Sequence, residues 1–273
     1  MGTALVTGAT SGIGLELVWQ LAAARHDLVL VARDHQRLAA LAEDLRQVAG
    51  VGAQVLPADL STAQGRQKVA QRLLRTGAAG ARSARGPRTA QEVARRPVDL
   101  LVNNAGFGLG QAFVGGDVDR ERRALEVMVG AVMELSHAAL PGMVERGHGA
   151  VLNIASLASL TAMGTYAAHK AWVRTFTEGL ATELKGTGVS ATVVCPGLTR
   201  TEFHERAHME DVWPSLVWTD AQEVARQALD AVRRGQVICT PTLRYQAAAA
   251  LLRLSPRWLV RRVAGHASSA TRY

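Results

Sequence analysis

Short apolar runs rich in leucine and β-branched residues alternate along the chain with longer segments of helical pattern. The runs fall at 3–8, 27–32, 53–58, 98–103, 149–156, 190–197 and 236–241. Strands this apolar are buried on both faces, as in a parallel sheet covered by helices. The alternation therefore predicts an α/β, Rossmann-like doubly wound fold, with a mostly parallel seven-stranded sheet and helices on both faces.

The chain has 273 residues, of which 48% are hydrophobic, enough for one large domain with a full core. We place this domain at 1–242. Within it, 75–92 contains no large apolar residue, so we predict a flexible surface insertion there. Residues 243–273 form a basic amphipathic extension, predicted as two short helices separated at Pro256.

The net charge of +8 could serve an anionic partner or be a scattered basic surface. Only 4% of the residues are aromatic, and no zinc-finger or basic-zipper pattern occurs, so no nucleic-acid partner is predicted. In the extension, arginines alternate with apolar side chains over 257–262. This pattern favours either a peripheral membrane contact through 255–265 or a helix that covers the core.

The cysteines and the N-terminus bear on the compartment. Cys195 and Cys239 lie in apolar runs and are predicted as buried thiols in a reducing compartment. No signal-peptide pattern opens the chain, and no run of about 18 apolar residues occurs. We therefore predict a cytoplasmic protein, with membrane association left open.

No metal site is predicted, because His204 and His208 lack a third ligand.

A glycine-rich loop, TGATSGIG (7–14), lies between the first run and the first helical segment. Its glycines permit a tight turn and a close approach to a pyrophosphate, which the N-terminus of the following helix would attract. The spacing G-x-x-x-G-x-G differs from the usual G-x-G-x-x-G, and a plain turn before a helix is the alternative. The predicted binding residues here are Gly8, Ser11, Gly12, Ile13 and Gly14.

The ends of the second and third runs bear on the dinucleotide. In VARDH, Asp34 could bind a ribose 2′-hydroxyl or cap the next helix, whereas Arg33 would accommodate a 2′-phosphate. Because Arg33 comes first at the strand tip, we predict NADP(H), with NAD(H) as the less favoured alternative. At the end of the third run, Asp59 can accept a hydrogen bond from the adenine amine, and Leu60 adjoins it.

Three further motifs follow the glycine loop in order: NNAG (103–106), YAAHK (166–170) and CPGLTRT (195–201). With these four motifs the chain resembles the short-chain dehydrogenase/reductase family over about 3–241, and most of all its single-domain bacterial members that reduce carbonyls with NADPH. In NNAG, asparagine side chains can tie neighbouring strands together. The resemblance adds further dinucleotide-binding residues, namely Asn104, Ala105, Gly106, Pro196, Gly197, Leu198 and Thr199.

Tyr166 and Lys170 are four residues apart and share one face of a helix. A free tyrosine titrates near pH 10, and a nearby ammonium favours the phenolate, so we predict a lowered Tyr166 pKa and proton exchange near neutral pH. The resemblance implies that Tyr166 protonates the forming alkoxide, that Lys170 also binds the nicotinamide ribose and that Ser156 hydrogen-bonds the substrate carbonyl. Ser156, Tyr166 and Lys170 are thus the predicted catalytic residues.

Two features depart from the family pattern. The ten steps from Ser156 to Tyr166 are about three fewer than usual, and Met128 aligns with an asparagine that holds a water linking the lysine to solvent. Methionine cannot support such a water by a strong hydrogen bond. An alternative function is therefore a catalytically weak NADP-binding sensor or scaffold. A third, indicated by the basic stretches 75–92 and 257–262, is a basic peripheral membrane adaptor.

The resemblance also implies that 199–219 covers the substrate. This segment is rich in apolar side chains, so we predict a small apolar carbonyl or alcohol substrate, such as a ketone, a 3-oxoacyl group or a lipid-like body, in a reversible reaction. Family members associate through two long helices, here about 117–146 and 165–186. The chain is therefore predicted to form a homodimer or homotetramer.

Overall fold

The computed structural model describes residues 2–75, 88–200 and 217–265. Its centre is a seven-stranded sheet in which every neighbouring pair is parallel. The order is β3-β2-β1-β4-β5-β6-β9, so the predicted doubly wound fold is confirmed. The strands of this sheet are β1 Thr3–Thr7, β2 Asp27–Ala32, β3 Ala53–Pro57, β4 Leu100–Asn103, β5 Gly149–Ile154, β6 Val189–Val194 and β9 Ile238–Cys239.

The strand order reverses between β1 and β4, which places a crevice at their carboxyl ends. A separate two-stranded parallel pair, β7 Thr199–Arg200 with β8 Thr219–Asp220, lies beyond β6 in the sequence. The α-helices of the described residues are α1 Gly12–Ala23, α2 His35–Asp44, α3 Ala63–Leu73, α4 Ala90–Arg95, α5 Val118–Leu125, α6 Ala131–Arg146, α7 Gly164–Glu183, α8 Ala221–Arg233, α9 Leu243–Leu254 and α10 Arg257–Val263.

Alternate residues of each strand enter two apolar layers on opposite faces of the sheet. In β1, Ala4 and Val6 pack in the layer that contains residues of α1, α2 and α8. Leu5 packs in the other layer, with residues of α3, α6 and α7. Both faces are covered, which explains why the strands read as continuous apolar runs.

A π-helical turn, Glu126–Gly130, joins α5 to α6, so the chain is helical from Val118 to Arg146. This run is long and apolar enough to cross a membrane by length and composition alone, although its sequence contains no run of about 18 apolar residues. Here it packs as a core helix, because Leu135 and Met143 are completely buried against the sheet.

The predicted insertion at 75–92 is wrong at its C-terminal end. Residues 76–87 lie outside the described part of the chain, but Arg88 forms an ion pair with the buried carboxylate of Asp27. Thr89 and Glu92 form a reciprocal capping box that begins α4: the Thr89 hydroxyl accepts from Glu92 N at 3.2 Å, and the Glu92 carboxylate accepts from Thr89 N at 2.7 Å. The Thr-x-x-Glu pattern, which is typical of a helix N-terminus, is therefore the correct predictor at this end of the segment, and the composition typical of a loop is not.

The extension forms two helices that end and begin on either side of Pro256, as predicted. Both pack on the domain, against the segment that follows β5. Arg257 donates to the carbonyl of Leu160 at 3.2 Å, and Ala162 N donates to the carbonyl of Ala264 at 3.2 Å. The extension therefore supports the short segment between Ser156 and Tyr166.

The two cysteines are buried free thiols, as predicted. Cys195 directly follows β6, and Cys239 lies in β9. Burial raises the pKa of each thiol to about 11. Neither thiol is therefore ionised near neutral pH.

Candidate active site

A buried polar network holds the carboxyl ends of the central strands together. The Asn103 side chain donates to Asn153 Oδ1 at 2.9 Å, and Asn153 Nδ2 donates to Thr177 Oγ1 at 2.9 Å. These bonds connect β4, β5 and α7 in a solvent-free region, where satisfied polar networks impose a unique packing. The predicted role of NNAG as a strand tie is seen at Asn103.

Thr7 and Asn104 fasten the glycine loop to the end of β4. The Thr7 hydroxyl oxygen accepts from the backbone N–H groups of Asn104 at 3.0 Å and Ala105 at 3.1 Å, and its proton goes to Val102 O at 3.2 Å. Asn104 Nδ2 donates to the carbonyls of Thr7 and Gly8 at 3.0 and 3.2 Å. Thr7 was not among the residues predicted from the sequence, where its only signal is its place at the end of β1.

The glycine loop needs its glycines for conformation and for space. Gly8 and Gly12 have φ of +65° and +53°, the left-handed region that glycine adopts without strain. A Cβ on Gly14 would lie 2.2 Å from the carbonyl oxygen of Gly8. Ser11 makes no side-chain bond to the first turn of α1. The N-terminal N–H groups of α1 thus keep the positive character that suits a pyrophosphate.

At the tip of β2, Asp34 takes the capping role that was one of its two predicted alternatives. Its carboxylate accepts from Gln36 N at 2.9 Å and Arg37 N at 3.1 Å, so Asp34 caps α2. Arg33 is exposed beside it. Arg37, which the sequence analysis did not single out, donates to the carbonyl of Thr10 at 3.0 Å and so braces the glycine loop.

Asp59 lies exposed at the end of β3. Its Oδ1 accepts from the backbone N and the hydroxyl of Ser61 at 2.9 and 2.8 Å, which fixes the turn before α3. Leu60 beside it is buried, and its carbonyl accepts from Arg66 at 3.2 Å. The predicted contact of Asp59 with an adenine amine remains a prediction.

Ser156, Tyr166 and Lys170 meet at the carboxyl end of β5. The side chains of Ser156 and Tyr166 share a hydrogen bond. Lys170 Nζ donates to the carbonyl of Ile154 at 2.8 Å and lies 5.8 Å from the centre of the Tyr166 ring. The short segment after Ser156 folds into a 3₁₀ turn, Leu157–Leu160, and does not separate the serine from the tyrosine.

Desolvation is the largest influence on the pKa values of Tyr166 and Lys170. It raises the pKa of Tyr166 to about 12, against the smaller lowering effect of the Ser156 hydrogen bond. It also lowers the pKa of Lys170 to about 8. The predicted lowering of the Tyr166 pKa is therefore wrong for this structure, because desolvation of the hydroxyl dominates. Tyr166 therefore keeps its phenolic proton across the physiological pH range.

Met128 lies beside Lys170, in the π-helical turn between α5 and α6. It is only 1% exposed. A Cβ added to Gly106 would be 3.5 Å from both Lys170 Nζ and Met128 Cγ, so the two side chains border the same space at Gly106. Met128 also packs with Leu109 and Tyr166. An apolar side chain thus occupies the position aligned with the family asparagine.

The segment after β6 is bonded to the serine region. The carbonyl of Pro196 accepts from Leu157 N, the residue after Ser156, at 2.8 Å. Gly197 and Leu198 contact Tyr245 of α9, which the sequence analysis did not assign to the site. Only the two ends of the predicted substrate cover at 199–219 are described, since residues 201–216 lie outside the described part. No cluster that could bind a metal ion occurs among the described residues.

A family model for short chain dehydrogenase matches residues 2–78 and 84–211. The chain belongs to the short-chain dehydrogenase/reductase family. It is 34% identical to sulfoacetaldehyde reductase 2 of Chromohalobacter salexigens, over 82% of this chain and 79% of that protein. The predicted class, an NAD(P)-dependent oxidoreductase of this family, is confirmed.

Solved structures of two similar proteins extend the comparison. A short-chain dehydrogenase from Sphingobium yanoikuyae in complex with NADPH has a TM-score of 0.79 and 32% identity, covering 93% of this chain and 94% of its own. A bulky-bulky ketone specific alcohol dehydrogenase from Comamonas testosteroni has a TM-score of 0.74 and 29% identity, covering 94% and 96%. The family model ends at residue 211, so α8, α9 and α10 lie beyond its match.

Proposed function

We propose that this chain uses NADPH to reduce the carbonyl of an apolar substrate, a ketone, a 3-oxoacyl group or a lipid-like body, to an alcohol, in a reversible reaction. The observation that carries the proposal is the convergence of Ser156, Tyr166 and Lys170 at the carboxyl end of β5. The similarity of this chain to a sulfoacetaldehyde reductase and to a ketone-specific alcohol dehydrogenase supports carbonyl chemistry. Transfer of deuterium from labelled NADPH to a ketone or a 3-oxoacyl thioester tests the proposal.

The crevice fits a dinucleotide. The glycine loop leaves no room for a Cβ at Gly14, and α1 begins without a side-chain cap from Ser11. Gly8, Gly12, Ile13 and the segment 104–106 would hold the phosphates and the riboses, and 196–199 would hold the nicotinamide end. Lys170 would reach the nicotinamide ribose. These assignments follow the family motifs, residue by residue.

The three side chains divide the work of the reaction. A bound NADPH supplies the hydride. The Ser156 hydroxyl hydrogen-bonds the carbonyl oxygen, and Tyr166 gives that oxygen its phenolic proton as negative charge develops there. Lys170, charged below about pH 8, stabilises the resulting phenolate and favours its reprotonation.

The surroundings of Tyr166 support an apolar substrate. Leu109, Ala124 and Met128 form a buried apolar cluster, against which Phe107 and Tyr166 pack. Such a wall excludes water from the proton donor and offers no hydrogen-bond partner to a polar substrate. Association into a homodimer or homotetramer remains a prediction.

We expect Arg33→Ala to raise the Kd for NADPH by about 10- to 100-fold and to leave the Kd for NADH within about twofold. Asp34 is engaged at the N-terminus of α2, whereas Arg33 is exposed at the strand tip, where it can bind a 2′-phosphate. Fluorescence titration with both nucleotides measures this. Arg234→Ala, at an exposed position after α8, is the matched control. Equal weakening of NADPH and NADH would contradict the assignment.

A second proposal concerns the exposed face of α9 and α10, which we assign to an anionic lipid surface. Several of its large apolar side chains are exposed, with exposed fractions of 85% for Leu254 and 61% for Trp258. Leu251 and Val263 are exposed as well. The segment 243–265 carries five arginines and no acidic residue. A second copy would bring like charges together, whereas an anionic membrane complements them.

Sedimentation with vesicles tests the lipid contact. We expect binding to vesicles that contain phosphatidylserine, none to pure phosphatidylcholine, and a loss of binding as salt increases. The double variant Leu254→Ser with Trp258→Ser should abolish it, and Val48→Ser, exposed on the opposite part of the fold after α2, should not. Equal binding to both vesicle types, or dimers that these two substitutions dissociate, would overturn this second proposal.

A further inference from the structure

The ring of Tyr245 in α9 lies directly on the backbone of Gly197. A Cβ added to Gly197 would be 2.0 Å from Tyr245 Cζ, far inside van der Waals contact. Gly197 has no positive φ, so its lack of a side chain serves the approach of this ring rather than a turn. A residue of the C-terminal extension thus fits closely against the segment after β6.

The hydroxyl of Tyr245 joins two distant parts of the chain. It accepts from Leu198 N at 3.1 Å and donates to the carbonyl of Val217. A phenol has one proton to donate, so the bond to Val217 uses it. Beside it, Arg244 donates to the carbonyl of Trp218 at 2.7 Å, and Thr219 N donates to Leu198 O at 2.8 Å. Together these bonds hold the N-terminal ends of β7 and β8 in place.

This arrangement continues to the catalytic residues. On one side of Ser156, Ala155 N donates to Val194 O at 2.8 Å, and on the other side Leu157 N donates to Pro196 O at 2.8 Å. The backbone just before Gly197 is therefore bonded to both neighbours of Ser156, through the carbonyls of Val194 and Pro196. A displacement of Gly197 would be transmitted to the site where the carbonyl and the nicotinamide meet.

We propose that Tyr245 is a positioning residue for carbonyl reduction: its hydroxyl and ring hold Gly197 and Leu198 in the place that receives the nicotinamide half of the dinucleotide. The inference rests on the proposed function, which assigns 196–199 to that half. The adenosine half lies at the other end of the crevice, at the glycine loop, Arg33 and Asp59. Tyr245 therefore affects one half of the dinucleotide and not the other.

The test is Tyr245→Phe in the 273-residue chain, which keeps the ring over Gly197 and removes only the hydroxyl. We expect the Kd for NADPH to rise about tenfold, which corresponds to about 1.4 kcal/mol, while the Kd for 2′,5′-ADP stays within about twofold. 2′,5′-ADP carries the adenosine half and no nicotinamide, so a general loss of structure would weaken both ligands. Gln246→Ala, at an exposed position in the same helix to which no binding role is assigned, is the control and should change neither.

A second variant, Gly197→Ala, tests the same contact from the other side. Its methyl group would displace the Tyr245 ring, and it should likewise weaken NADPH without weakening 2′,5′-ADP. Equal weakening of both ligands by Tyr245→Phe, or unchanged NADPH binding, would overturn the inference about Tyr245. Failure of the wild-type protein to bind NADPH would instead contradict the proposed function.

Discussion

Replacing Tyr166 with phenylalanine is expected to lower kcat for carbonyl reduction by about 10²- to 10⁴-fold while the Kd for NADPH stays within about twofold. The hydroxyl is the only group removed, and the ring keeps its packing against Leu109 and Met128. With the pKa raised to about 12, the wild-type hydroxyl carries its proton throughout the physiological range. The rate of NADPH oxidation with a ketone, measured at saturating concentrations of both, gives the comparison.

Two controls define that result. An unchanged thermal melting curve for Tyr166→Phe would show that lost turnover is not lost structure. Ser159→Ala, three residues after Ser156 and buried, changes a hydroxyl to which no catalytic role is assigned, and should keep most of the activity. A phenylalanine variant that retained a tenth or more of the wild-type kcat would exclude Tyr166 as the proton donor.

The second large effect is expected at Lys170, where Lys170→Met should lower kcat by about 10²-fold or more and yet increase the free energy of unfolding at pH 7. Desolvation lowers the pKa of Lys170 from the ordinary 10.5 to about 8. At about 1.4 kcal/mol for each pH unit, the buried charge destabilises the native state by about 3 kcal/mol. The lost hydrogen bond to Ile154 O offsets about 1 kcal/mol of the gain.

The difference in unfolding free energy between wild type and Lys170→Met depends on pH, because only the charged form of the lysine is disfavoured in the native state. The native state disfavours the charged lysine, so the penalty is fully present below about pH 8 and disappears as the pH approaches 10.5. The methionine variant should therefore be the more stable protein at pH 7, and its advantage should shrink between pH 8 and 10.5. Urea unfolding of both proteins across this range measures it. A variant less stable than wild type at pH 7 would show that the charge is not disfavoured there.

The sequence was most informative where function depends on neighbours in the chain. The four-residue spacing of Tyr166 and Lys170 places both on one face of α7, and the apolar runs predict the strands at whose ends the motifs lie. The two roles open to Asp34 could not be decided from the sequence, because capping and ribose binding both call for a carboxylate at this place. The structure shows the cap at the N-terminus of α2, and a ribose contact is not tested by it.

Properties that depend on contacts between residues far apart along the chain could not be predicted from the sequence. The spacing of Tyr166 and Lys170 predicts a charge effect, but desolvation of the tyrosine comes from the fold around it, and it reverses the direction of the pKa. The contact of Tyr245 with Leu198 joins residues 47 positions apart, with no motif to announce it. The composition around Arg88 was misleading, because its ion-pair partner Asp27 lies 61 residues earlier, in β2.

The most direct test of the central claim is transfer of deuterium from NADPH labelled at the reactive nicotinamide carbon to a panel of medium- and long-chain ketones and 3-oxoacyl thioesters. Mass spectrometry of the products follows the label. We expect an alcohol that carries one deuterium on the former carbonyl carbon, formed by the wild-type protein and formed at least about 100-fold more slowly by Tyr166→Phe. NADPH that binds tightly but leaves every carbonyl unlabelled would contradict the reductase and favour an NADP-binding sensor.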